Sequence, residues 1–169
     1  QNHSRLIGIV LKRRKDKYEN IFTDPFHGEL LGALESAIRE QGYYMMIYIS
    51  EDIEEIVRNI VGWNTEGLIL IGMLHDDYLK IRSKYKKPAV LIDSYTPKNI
   101  ARYVNIGLDD EEGGYLMTKY LLDCGHRKIA FLADNMEGVD YIRYTGHQRA
   151  LQEYGLDIDL DNLIVILSL

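Results

Sequence analysis

The chain has 169 residues, of which 46% are hydrophobic and 27% charged. That balance excludes a disordered or fibrous chain and leaves one globular domain, or two small lobes on one polypeptide. Twenty basic residues against 26 acidic ones give a net charge of −6, which disfavours non-specific attachment to nucleic acid by this segment. Cys124 is the single cysteine, so neither an intramolecular disulfide framework nor a structural zinc cluster of thiolates is available, and a reducing, cytoplasmic setting is expected. No apolar run is long enough to span a bilayer, and the opening residues Gln1 to Arg5 lack the apolar core of a signal peptide; no membrane partner is expected.

Taken in chain order, short aliphatic runs at residues 6–11, 44–49, 67–71, 89–92, 128–132 and 163–167 are continuous rather than alternating. This is the pattern of strands covered on both faces of a parallel sheet. Amphipathic stretches of helical length separate them. The first spans 26–41, carries Leu30, Leu31, Leu34, Ala37 and Ile38 on one stripe, and stops at Gly42. Asp24-Pro25 supplies its N-cap and first helical position. Within it, Gly28 and Gly32 predict close helix packing.

The second helix opens at Asp52 with Glu55 in capping-box spacing and buries Ile53, Ile56, Val57 and Ile60. A weaker third covers 76–85 and stops before Pro88. A fourth starts at Asp109 and ends at Gly125, and a fifth covers about 141–154 and ends at Gly155. Strand followed by helix, repeated, predicts an α/β, doubly wound architecture. The rhythm breaks once. Residues 101–108 read as a short strand with no helix before it, after which strand and helix alternate afresh. Two lobes are therefore expected, residues 1–105 and 106–169, the second with too few strands for a covered parallel sheet and thus incomplete in this chain.

In open α/β sheets ligands gather at the carboxyl ends of strands. The first such loop, residues 12–24, has neither a glycine-rich dinucleotide fingerprint nor a phosphate-binding lysine–serine pair. A phosphoacceptor domain needs an acidic pair after the first strand, where this chain has Lys12-Arg13-Arg14-Lys15. The five histidines (His3, His27, His75, His126 and His147) show no zinc-ligand spacing, and no serine nucleophile elbow occurs. His126 reads as a helix-end capping residue. No set of general acid, base and nucleophile emerges, so the chain reads as a binder, not an enzyme, with no catalytic residues, no cofactor and no metal.

Several ordered segments resemble the effector-binding core of the lactose-repressor/purine-repressor (LacI/GalR) family of bacterial transcription regulators. They are Arg5-Leu6-Ile7-Gly8-Ile9-Val10, Asp24-Pro25-Phe26, Glu66-Gly67-Leu68-Ile69-Leu70, Pro88 through Asp93, and Gly125-His126-Arg127-Lys128-Ile129-Ala130-Phe131. Arg143-Tyr144-Thr145-Gly146 closes the series. The resemblance implies a periplasmic-binding-protein-like core of two lobes closing on a small, sugar-like effector. It also implies operator DNA as a partner, through an N-terminal helix-turn-helix absent from this chain, and a homodimer. The alternative with the same fold is an exported sugar-binding protein of a transport system.

Carried over residue by residue, the resemblance gives Asp93 as the cleft aspartate, whose carboxylate accepts hydrogen bonds from vicinal hydroxyls, and Arg143 as its guanidinium counterpart from the other lobe. Phe26 and His27 match the aromatic pair that offers flat area to a ring. The family commonly has a second aromatic where His27 stands and asparagine where Asp24 stands. Asp24 is either the helix N-cap or a ligand contact. The segment 12–20 is longer than the family's first loop and rich in Lys12, Arg13, Arg14, Lys15 and Lys17. It is either a solvated loop or a set of cations over the cleft that favours an acidic effector.

Overall fold

The computed structural model describes residues 4–13, 20–94, 104–133, 135–158 and 163–165. They form two compact units, residues 1–106 and 107–169, each with its own parallel sheet. The residues 14–19 of the basic segment, and residues 166–167 at the end of the last expected strand, lie outside the described ones.

The first unit contains strands β1 (Leu6–Lys12), β2 (Tyr44–Ser50), β3 (Gly67–Ile71), β4 (Ala89–Ile92) and β5 (Val104–Ile106). All pair in parallel, in the order β2-β1-β3-β4-β5. Helices α1 (Pro25–Glu40), α2 (Ile53–Gly62) and α3 (His75–Lys84) make the crossovers. Because strand side chains alternate, β1 feeds both layers. Ile9 and Leu11 join Leu31 of α1 on one face, while Val10 joins Ile56 and Ile60 of α2 and Ile81 of α3 on the other. Two covered faces explain why these strands are continuous apolar runs.

Aspartates cap the starts of α1 and α2. Asp24 accepts from the His27 backbone N–H at 2.9 Å. Asp52 accepts from Glu54 N–H at 2.8 Å rather than from the residue in capping-box spacing. Glu55 turns instead to β2, accepting from Ser50 Oγ at 2.6 Å and Tyr48 Oη at 2.7 Å, and these bonds hold its carboxyl below the usual range. The close packing expected of Gly28 and Gly32 is not found. A methyl group on Gly28 meets only the Phe22 carbonyl at 3.5 Å, and one on Gly32 meets nothing within 4 Å.

The second unit holds α4 (Asp110–Asp123), β6 (Phe131–Ala133), α5 (Gly138–Glu153) and β7 (Leu163–Val165), with β6 and β7 parallel. Asp109 caps α4 by accepting from Glu112 N–H at 3.1 Å, in the expected spacing. At its end, Gly125 takes φ 94° and the backbone N–H of His126 bonds the Leu121 carbonyl at 3.1 Å. His126 thus caps through its main chain, while the Arg127 guanidinium covers the Leu122 carbonyl at 2.9 Å. The strand expected at 128–132 begins three residues later, because Ile129 is drawn into the cluster of Leu122, Ala150 and Leu151.

Helices α4 and α5 touch at their backbones. A methyl group on Gly114 would sit 2.9 Å from the Arg143 carbonyl carbon, and one on Gly146 would sit 2.7 Å from the Tyr115 nitrogen. Around that crossing, Arg149 bonds Glu111 at 2.8 Å and Glu112 at 2.5 Å and lies over the Tyr115 ring at 4.1 Å. Thr118 Oγ1 meets His147 Nδ1 at 2.9 Å in the buried seam.

Candidate functional site

Parallel pairing puts every carboxyl strand end of the first unit on one edge. Lys12 pairs with Ser50, Leu11 with Ile71, and Ile71 with Ile92. One step further, Ser50, Lys12, Gly72 and Asp93 form a row across that edge. The strands run close here: Gly72 has φ 73°, and a methyl group on it would fall 2.6 Å from the Lys12 carbonyl oxygen.

Asp93 ends this row in the left-handed region, with φ 49°. Aspartate tolerates that conformation better than most residues, and departures of this kind gather at functional edges. Its N–H is held by the Ile106 carbonyl at 2.9 Å. The next residue is clamped too: the Ser94 N–H bonds Asn105 Oδ1 at 2.9 Å and its buried hydroxyl bonds the Met73 carbonyl at 2.7 Å. The half-buried Asp93 therefore sits on a rigid platform.

Asp24, Phe26 and His27 are brought together at the first turn of α1. Oδ2 of Asp24 stands 2.9 Å from the His27 main-chain nitrogen and 2.5 Å from its Nδ1. The Phe26 and His27 rings meet edge to face at 5.3 Å and 81°. Phe26 is 55% exposed, an apolar ring left open in a helix start. The N-cap reading of Asp24 holds, while its second bond, to the imidazole, has no signature in residue spacing. Phe22, also exposed, was missed as a third aromatic of this stretch. An Asx turn fixes its backbone, with its N–H bonded to Asn20 Oδ1 at 3.1 Å.

The described basic side chains of the first loop are already engaged. Lys12 Nζ lies 2.6 Å from Asp77 Oδ2, a largely buried pair, and the same oxygen accepts from the Leu74 N–H at 3.0 Å. Arg13 pairs with Glu51 at 2.6 Å. Arg14, Lys15 and Lys17 lie outside the described residues.

Arg143 lies in the second unit, in the second turn of α5. Its Nε bonds Asp110 Oδ1 at 2.7 Å, with the aspartate side chain only 3% exposed and the arginine 46% exposed. The guanidinium is thus anchored at one nitrogen, on a side chain about half exposed as a whole. Asp110 was not singled out from sequence; its place beside the N-cap Asp109 hid it among first-turn acids.

The family described as "Periplasmic binding proteins and sugar binding domain of LacI family" matches residues 5–165. The chain belongs to this family. The HTH-type transcriptional regulator GntR of Escherichia coli strain K12 is 30% identical over 159 residues, covering 90% of this chain and 45% of that protein. The HTH-type transcriptional repressor PurR of Vibrio atlanticus is 27% identical over 170 residues, covering 97% and 48%. This LacI-family chain spans about half the length of the curated relatives it matches.

Among solved structures, a transcriptional regulator CelR–cellobiose complex superimposes with a TM-score of 0.81 at 21% identity, covering 95% of this chain and 50% of that one. A sugar-binding transcriptional regulator of the LacI family from Escherichia coli, complexed with phosphate, gives 0.72 at 17% identity, covering 96% and 58%. These likenesses fix the fold as periplasmic-binding-protein-like, with parallel-sheet lobes. No helix among the described residues is long and apolar enough to cross a membrane.

Proposed function

We propose that this chain is the ligand-sensing part of a bacterial transcription regulator, taking a sugar or sugar derivative between its two lobes. The observation that carries this reading is the carboxyl edge of the first sheet. There a LacI-family chain presents a rigidly held aspartate, Asp93, and an open aromatic corner at Phe26 and His27. An ionised carboxylate accepts a pair of hydroxyl hydrogen bonds, and an aromatic ring covers the apolar face of a pyranose or furanose. The family resemblance adds Arg143 of the second unit, whose side chain is about half exposed.

The internal pairing of Lys12 and Arg13 supports a neutral effector over a phosphorylated one. The names of relatives such as the regulator GntR and the repressor PurR favour this role over an exported transport protein and over an enzyme. The wider reading follows the family: operator DNA bound through a separate helix-turn-helix, a homodimer with two-fold symmetry, and a cytoplasmic setting. Effector binding shifts the relative arrangement of the lobes and so the DNA-bound population.

Thermal unfolding in the presence of monosaccharides, disaccharides, sugar phosphates and purine bases tests this. A ligand at about 100 times its Kd adds about 2.7 kcal/mol to the folded state, a shift of several degrees. Stabilisation by a neutral saccharide is expected. A response confined to purine bases, or to none of the panel, overturns the proposal.

A further inference from the structure

One oxygen of Asp24 serves two donors. Oδ2 accepts the His27 main-chain N–H at 2.9 Å and lies 2.5 Å from the ring nitrogen Nδ1 of the same residue. A carboxylate has no proton to give, so the hydrogen in the second bond belongs to the imidazole, and Nδ1 carries it. In a neutral ring the other nitrogen, Nε2, is then left with a lone pair and no hydrogen. The ring is also fixed from the side, by the edge-to-face contact with Phe26. Both constraints come from residues within one helical turn, so the arrangement is set locally by the start of α1.

We propose that Asp24 is a positioning residue that locks His27 in the Nδ1–H form, making Nε2 a fixed hydrogen-bond acceptor and selecting ligands that bring a neutral hydroxyl donor to this corner. This deepens the effector-site reading above and rests on it. A phenyl ring at position 27 would offer area without direction. An acceptor nitrogen asks for a donor, and the Asp24 carboxylate behind it disfavours an anion. The class of ligand is therefore a neutral polyhydroxylated one, with phosphate and carboxylate groups turned away from this end.

The test has a part that needs no ligand. Nitrogen-15 NMR of the full chain at pH 8, where an ordinary imidazole is neutral, reports the tautomer directly. The expected result is Nδ1–H for His27 and a swing toward Nε2–H in Asp24→Ser, which keeps an N-capping hydroxyl but removes the carboxylate. Asp24→Asn, which preserves cap and shape, is the second variant should the serine change unfold the helix start; its neutral amide weakens the same preference. An Nε2–H ring in the unaltered chain, or an unchanged tautomer in both variants, overturns the lock.

Calorimetry with cellobiose, D-ribose and inorganic phosphate reads the selection. Binding of at least one sugar is expected, about tenfold weaker in His27→Phe and partly regained in His27→Gln, which restores an acceptor, with phosphate not competing. Equal sugar affinity in His27→Phe, or preference for phosphate, overturns the selective role. If neither sugar binds while the Nδ1–H ring is seen, the lock stands and the saccharide reading of the site falls with the selectivity.

Discussion

Gly146 of α5 lies against the main chain of α4 beside Tyr115, whose nitrogen would be 2.7 Å from a methyl group placed on the glycine. The obstructing atoms are backbone atoms of a helix, which cannot swing away as a side chain can. Gly146→Ala is therefore expected to force the helices apart and to cost about 3 kcal/mol, the upper range for overpacking. Gly32→Ala makes the control, since it too is a glycine inside a helix but has open space around it. That change should add about 0.5–1 kcal/mol by restricting the unfolded chain. Urea unfolding of both variants separates them by sign; a Gly146→Ala protein as stable as the parent would contradict the tight crossing.

Among the described residues, Lys12 and Asp77 form the most enclosed cation–carboxylate contact on the edge of the first sheet, with side chains 21% and 8% exposed. Asp77 also accepts the Leu74 N–H that opens α3. Asp77→Ala removes both bonds and leaves the ammonium without its counter-charge, an expected loss of about 2–3 kcal/mol. Lys12→Met keeps the packing of the aliphatic stem and leaves Asp77 its cap, so a smaller loss is expected. Denaturant midpoints of the two variants give the comparison. Equal losses would mean that the cap at Leu74 contributes nothing.

The strands of the first unit were legible because both faces of its sheet are covered, so Leu68, Leu70 and Ile71 are all apolar neighbours in sequence. The short strand β6 was legible only in part, with its start placed three residues early. Ile129 and Ala130 carry the same apolar signal, but Ile129 spends it on the seam with Ala150 and Leu151. The start of α5 was placed three residues late, since Gly138 and Asp140 carry no apolar stripe and Glu137 offers no side-chain cap. At the candidate site, N-cap spacing pointed to Asp24, whereas its ring contact depends on the rotamer of His27, which no spacing rule supplies. Arg143 was read from its motif as a ligand contact; its bond to the buried Asp110 needs the helix crossing at Gly114 and Gly146, a tertiary fact.

Asp93 combines a charge with a backbone conformation, and the two can be separated. With φ at 49°, asparagine is tolerated while alanine is strained by about 1 kcal/mol. Asp93→Asn should therefore keep the left-handed backbone at this position yet bind a saccharide on the order of tenfold to a hundredfold more weakly, since bonds from hydroxyls to an ionised acceptor are the stronger kind. Asp93→Ala should lose both stability and affinity. Calorimetric titration of the asparagine variant with a saccharide that stabilises the parent decides it, and undiminished affinity would remove Asp93 from the site.

His147 is buried in the second unit, and desolvation holds its imidazole below the ordinary pKa. Thr118 settles which nitrogen is protonated. Its hydroxyl donates to the Gly114 carbonyl at 2.8 Å, so it must accept from His147 Nδ1–H at 2.9 Å. The folded chain therefore prefers the neutral ring, whereas the unfolded chain titrates near 6.5. Below that pH the unfolded state binds more protons than the folded one, so the stability present above about pH 6.5 is lost progressively as pH falls toward the depressed folded-state value. His147→Phe should flatten this dependence, because the ring that must be protonated on unfolding is gone. Thr118→Val should lower stability at neutral pH by about 1–2 kcal/mol, leaving a buried N–H without its acceptor. Denaturant midpoints at pH 5.5 and pH 8 provide the measurement. If the parent and the phenylalanine variant lose the same stability between those two conditions, the acid sensitivity belongs to other groups and His147 is not its source.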